Sequence, residues 1–174
     1  PISLYGASKL AGESLISAFV ECFGLRGVVY RFGNVVGPRG THGAALDFFK
    51  KLKATPDELE VLGDGSQAKP YVFVADCVAG ILFGLDHTKG PLDVLNIAPP
   101  DYTSVRRIAE LCVAESPFPE AKIRYTGGDR GWPGDVPQSR LDPSRFAELG
   151  FRVSRSSDEA VREAVHALAR EVFG

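Results

Sequence analysis

Short β-branched or aromatic runs alternate with helical apolar stripes along the whole chain, and nothing else in it narrows the fold as far. Gly27-Val28-Val29-Tyr30-Arg31-Phe32 reads as a buried strand. Further strands are predicted at Leu59-Glu60-Val61-Leu62, Tyr71-Val72-Phe73-Val74, Asp93-Val94-Leu95-Asn96-Ile97 and Ile123-Arg124-Tyr125. Between them lie helical patterns. Residues 7–23 carry Leu10, Ala11, Leu15, Ala18, Phe19, Cys22 and Phe23 on one stripe, closed by Gly24. Residues 44–53 place Leu46, Phe48 and Phe49 inward, and residues 76–85 and 104–115 continue the alternation. Asp142 is expected to cap a short helix containing Phe146 and Leu149, and Ser156-Ser157-Asp158-Glu159 to open a last helix. Residues 34–43 and 127–137, rich in glycine or proline, read as loops. Strands alternating with helices argue for an α/β fold rather than separate all-α or all-β domains.

Length and charge bound the function. At 174 residues the chain fits one domain, or one and a fraction, with a proper core. A net charge of −2 and a pI near 6.0 point away from nucleic acid and from anionic membranes as partners. No apolar run reaches the ~18 residues of a membrane span, and a signal peptide's regions are lacking, so a cytoplasmic location is expected. Cys22, Cys77 and Cys112 are odd in number and far apart, which predicts three buried free thiols. His42, His87 and His166 lack partners at metal-ligand spacing, so no metal site is expected.

The chemistry concentrates at Tyr5-Gly6-Ala7-Ser8-Lys9. A spacing of four puts the tyrosine and the lysine on one helical face, about one turn apart. An ammonium beside a phenol favours the phenolate and draws its pKa from about 10 toward neutrality. A tyrosine so placed can exchange a proton with an alcohol.

Four segments in order resemble the extended short-chain dehydrogenase/reductases, and within them the sugar-nucleotide epimerases and dehydratases of the UDP-glucose 4-epimerase type. Tyr5-Gly6-Ala7-Ser8-Lys9 is similar to the YxxxK pair, and Arg31-Phe32-Gly33-Asn34-Val35-Val36-Gly37-Pro38-Arg39 to the RxxNVYGPR loop. Leu62-Gly63-Asp64-Gly65-Ser66-Gln67-Ala68-Lys69-Pro70-Tyr71-Val72-Phe73-Val74 resembles the GDGxQxRDxxxV segment. Arg130-Gly131-Trp132-Pro133-Gly134-Asp135-Val136 resembles the late RPGDV loop, followed by Leu149-Gly150-Phe151.

The resemblance implies an NAD cofactor and a nucleotide-sugar ligand such as UDP-glucose or UDP-galactose. It makes Tyr5 the acid/base on a sugar hydroxyl and Lys9 the residue that holds the nicotinamide ribose. It sets Asn34, Lys69 and Arg130 against the diphosphate, and Val61 and Leu62 around the uracil. Lys69-Pro70 stands where the family commonly has Arg-Asp, and a lysine cannot make the bidentate contact of a guanidinium. The family's Gly-rich dinucleotide turn and catalytic serine or threonine precede the tyrosine, and Gly33, Gly37 and Gly40, interrupted by Pro38, make a poor substitute. The resemblance therefore implies the C-terminal part of a doubly wound Rossmann-type fold plus a small substrate-binding region, without the N-terminal Gly-rich half. Residues 1–174 would form one truncated domain, with 1–40 the last part of the Rossmann-type core, including the YxxxK helix, and 41–174 mostly substrate-binding, with some segments returning to the core. Such a chain is expected to be inactive by itself, with the strand 28–32 and the helix 10–23 left exposed and a homo-oligomer as the consequence. The alternative is a non-enzymatic nucleotide-sugar-binding or oligomeric interaction module derived from the same fold.

Overall fold

The structure, a computed structural model, describes residues 1, 3–128, 131, 136 and 138–174. In chain order its elements are α1 (Leu4–Phe23), β1 (Gly27–Phe32), β2 (Asn34–Val36), α2 (Ala44–Ala54), β3 (Glu58–Val61), β4 (Ala68–Lys69), β5 (Tyr71–Phe73) and α3 (Val74–His87). There follow β6 (Leu92–Ile97), β7 (Thr103–Ser104), α4 (Val105–Glu115), β8 (Lys122–Tyr125), α5 (Ser144–Glu148) and α6 (Ser157–Phe173). The fold is α/β with parallel pairing, as the alternation of periods predicts.

Helix α1 starts a turn earlier than its apolar stripe because Ser3 Oγ accepts the Gly6 N–H at 3.0 Å. It ends where Gly24 turns left-handed at φ 65°. Helix α6 opens on a capping box, with Ser156 and Glu159 satisfying each other's backbone N–H groups. Next to it Arg107 holds the Asp158 carboxyl below the usual carboxylate range through a 2.8 Å hydrogen bond.

Three ladders are parallel: β1 with β6 from Gly27↔Leu92 to Phe32↔Ile97, β2 with β5, and β3 with β8. The two-residue ladder of β4 with β7 is antiparallel. Strand β2 lies in a stretch whose glycines read as loop. Gly33 explains it: a Cβ there would sit 2.7 Å from the Pro70 carbonyl oxygen. Without one, the backbones approach closely enough for the Asn34 N–H to donate to Pro70 O at 2.8 Å. Strands β4 and β7 are too short to carry any periodicity. Asp142 does not cap α5; Pro143 is the N-cap, and Asp142 Oδ1 instead accepts the Ser144 N–H at 2.9 Å across an Asx turn.

Two apolar clusters hold the elements together. One packs Phe48, Phe49 and Leu52 of α2 against Leu59 and Val61 of β3, Ile108 and Cys112 of α4, and Val161, Val165 and Leu168 of α6. The other packs Leu95 and Ile97 of β6 with Val72, Cys77 and Phe146, against which Val28, Tyr30 and Phe151 lean. Burial pushes the Cys77 and Cys112 thiols up, which makes them inert packing groups. Cys22, expected to be buried, is exposed, because α1 buries only Val20.

The outward face of α1 carries Leu10, Leu15, Phe19 and Phe23, all exposed, and α3 shows Val78, Leu82 and Leu85. Among the described residues, β1 pairs only with β6 and its other edge is open. No described helix is long and apolar enough to cross a membrane.

Candidate functional site

A cleft of about 1420 Å³ opens between α1, the loop after β1, α2 and α6. Tyr5, Lys9, Asn34, Leu62, Gln67 and Lys69 all border it. Tyr5 is 72% exposed in the first turn of α1. One turn on, Lys9 Nζ sits over the face of the phenol ring, 5.2 Å from its centroid. The helix carrying both is fixed to β1 by Arg31, whose guanidinium grips Glu13 at 2.8 and 2.6 Å in a two-point contact. That contact holds the Glu13 carboxyl below its ordinary range. Sequence reasoning missed the pair, since eighteen positions separate its members and no local spacing announces it.

Across the cleft, the close approach of strands at Gly33 places Asn34 at the start of β2, pointing the RxxN segment to the cleft wall. The turn after β3 supplies the rest. Gly63 and Gly65 adopt φ 84° and 79°, and the Gly63 N–H donates to Thr126 Oγ1 at 2.9 Å. Arg106 donates to Asp64 O at 2.9 Å and stacks on the Tyr125 ring, so the turn is held from outside. Beyond it Lys69 enters β4, half-buried, where the Ala68–Lys69 backbone pairs with Thr103 and Ser104.

The structure thus brings Tyr5, Lys9, Asn34, Leu62 and Lys69 to one cleft. Val61 does not join them. It is fully buried in the α2–α4–α6 cluster, because side chains alternate along β3 and Leu59 and Val61 share the face that points into the core. Leu62, 43% exposed, is left to offer apolar surface to a ligand. Arg130 lies outside the described residues. Sequence reasoning quoted Gln67 within a motif but assigned it no role; its burial beside the cleft is visible only in the fold. Among the described residues no group of three or more His, Cys, Asp or Glu side chains could hold a metal ion.

The chain is 32% identical over 170 residues to GDP-mannose 3,5-epimerase of Arabidopsis thaliana, covering 93% of the chain and 43% of that protein. It superposes on a crystal structure of UDP-galactose 4-epimerase with a TM-score of 0.87 and 33% identity, over 99% of the chain and 55% of that structure. It superposes likewise on the UDP-glucose 4-epimerase of Thermotoga maritima solved with UDP-glucose, with a TM-score of 0.80 and 28% identity, over 99% of the chain and 55% of that structure. The chain spans about half the length of these relatives. The family model described as NAD dependent epimerase/dehydratase matches residues 1–98, more than half of the sequence. The chain belongs to the NAD dependent epimerase/dehydratase family.

Proposed function

We propose that this cleft binds a nucleotide sugar, with UDP-glucose or UDP-galactose as the first candidates, and that the chain supplies the catalytic-tyrosine and substrate-binding portion of an NAD-dependent epimerase. The observation that supports this reading most is the sharing of one cleft by Tyr5 and Lys9 with Asn34, Leu62 and Lys69. Tyr5, exposed to the cleft, exchanges a proton with the sugar hydroxyl. Lys9 holds the ribose beside it. Asn34 and the cation of Lys69 take the diphosphate, with Arg130 as the second cation, and Leu62 lies against the base.

NAD, when bound, supplies a hydride acceptor and returns the hydride. The phenol and ammonium of Tyr5 and Lys9 fit its nicotinamide-ribose end. Its pyrophosphate calls for a glycine turn opening directly into a helix. Among the described residues, the glycines after β1 lead instead into β2, and α2 begins only at Ala44. The 174 residues by themselves therefore hold one end of the cofactor, and turnover requires structure that supplies the other. Calorimetry of the purified chain is expected to give UDP-glucose a dissociation constant of about 0.1–1 mM and NAD none below about 1 mM. Tight NAD binding would refute the division of the site, and absence of any UDP-glucose binding would refute the substrate.

A second reading, an interaction module, is favoured by the exposed faces of α1 and α3 and the open edge of β1. Apolar surface and an unpaired strand edge drive association. Light scattering is expected to show dimers or larger species, with a shift toward monomer when Leu15 and Phe19 are both changed to serine. A monodisperse wild-type monomer that binds no apolar-surface dye would rule the association out.

A further inference from the structure

Tyr5, Lys9 and Glu13 follow one another at intervals of four along α1, and all three border the cleft. One helical face therefore offers the Lys9 ammonium two partners, a phenol one turn before it and a carboxylate one turn after it. An exposed cation over an aromatic face and an exposed lysine–glutamate pair at this spacing are attractions of the same order, the second somewhat weaker with lysine first. Left to itself, the ammonium would divide its time between them. In the structure it does not. Lys9 Nζ lies 5.2 Å from the Tyr5 ring centroid, and no ion pair joins it to Glu13.

Strand β1 decides between the two partners. From it Arg31 donates through Nε to Glu13 Oε1 at 2.8 Å and through Nη2 to Oε2 at 2.6 Å, so a guanidinium N–H occupies each carboxylate oxygen. A two-point, charge-assisted contact outweighs the single contact a lysine could make from the next helical turn. Glu13, its carboxyl held below the usual range by this contact, is an anion at neutral pH, and a cation from outside the helix satisfies it without drawing on Lys9. We propose that Arg31 is a positioning residue for the Tyr5–Lys9 pair: by occupying both oxygens of Glu13 it keeps the Lys9 ammonium on the Tyr5 phenol. It acts through Glu13 rather than on the reacting atoms. The inference rests on the nucleotide-sugar epimerase reading, in which the ammonium serves the phenol and the nicotinamide ribose.

Protons above an aromatic face are displaced upfield by its ring current, so the ε-CH2 protons of Lys9 report its place by NMR of the purified chain. Tyr5→Leu, which has no ring, sets the zero of that displacement, and the wild type is expected to lie upfield of it. Arg31→Gln releases the carboxylate and is expected to remove about a third to a half of the displacement, since two attractions of one order then compete. Glu13→Gln removes the competitor and is expected to keep the displacement in full. The double variant Glu13→Gln/Arg31→Gln is expected to regain what Arg31→Gln alone loses. Arg31→Lys, which keeps a cation on Glu13, is expected to fall between Arg31→Gln and the wild type. A contact that merely fastened α1 to β1 would act alike in Arg31→Gln, Glu13→Gln and the double variant, lowering melting temperature and displacement equally in each. That result, a wild-type displacement of zero, or an Arg31→Gln displacement equal to wild type would overturn the proposal. If Arg31→Gln fails to fold, Arg31→Lys compared with Glu13→Gln gives the same readout. No ligand enters this measurement, so its failure is distinct from that of the nucleotide-sugar reading. Failure of UDP-glucose to bind in calorimetry would instead bring down that reading, and with it the catalytic meaning of the pair.

Discussion

Changing Ser157 to alanine is expected to lower the free energy of unfolding by about 2–3 kcal/mol, far more than the loss of one exposed hydroxyl. The side chain is fully buried, at the first residue of α6. Its Oγ accepts the Tyr71 N–H at 3.0 Å and the Thr103 hydroxyl at 2.8 Å, joining β5, β7 and α6 at one atom. Alanine leaves a buried N–H and a buried hydroxyl without this acceptor, and the cost is that of their desolvation. Tyr71 follows Pro70 and Lys69 directly, so the same change loosens the strand that presents the Lys69 cation. Urea denaturation should show the midpoint falling at unchanged slope, and UDP-glucose binding should weaken. A loss below about 0.5 kcal/mol would show that the network contributes little.

Gly33→Ala is expected to cost about 3 kcal/mol, at the upper end for overpacking. The added methyl would lie 2.7 Å from the Pro70 carbonyl oxygen, and a backbone atom, unlike the tip of a long side chain, cannot swing aside. The Asn34–Pro70 hydrogen bond and the β2–β5 ladder must open to admit it. Asn34 would then leave the cleft wall, so binding of UDP-glucose should fall together with stability. A variant with wild-type melting and wild-type binding would show that the approach of β2 to β5 is dispensable for the site.

Both expectations depend on contacts that the linear chain shows only in part. The periods of 3.6 and 2 located the long helices and the strands β1, β3, β5, β6 and β8, because those patterns are repeated over enough residues to be read. Strand β2 escaped because its sequence has glycine on both sides and its reason for being a strand is the backbone of Pro70, thirty-six positions from Asn34. Asp142 looked like a helix cap because aspartate serves both caps and Asx turns; the following proline, itself taking the N-cap place, decided between them. The motif of residues 62–74 borders the cleft at Leu62, Gln67 and Lys69, while Val61, paired with Leu62 in the sequence reading, is buried. Val61 ends β3 with its side chain in the core, whereas Leu62 opens the turn beyond the strand and is exposed.

The amino-acid sequence alone determined the long helices and the strands β1, β3, β5, β6 and β8, their order, and the family that the Tyr5–Lys9 pair and the glycine-bordered segments belong to. These follow from spacings of a few residues, where helix pitch, strand pleat and turn geometry act locally. Tertiary structure alone decided that Val61 is core and Leu62 cleft, that α1 keeps most of its apolar stripe exposed, and that Gln67 is buried beside the cleft. Those outcomes depend on what lies opposite each residue. At the turn of Gly63 the opposing group is Thr126, sixty-three positions along the chain, and no local pattern encodes a meeting at that distance.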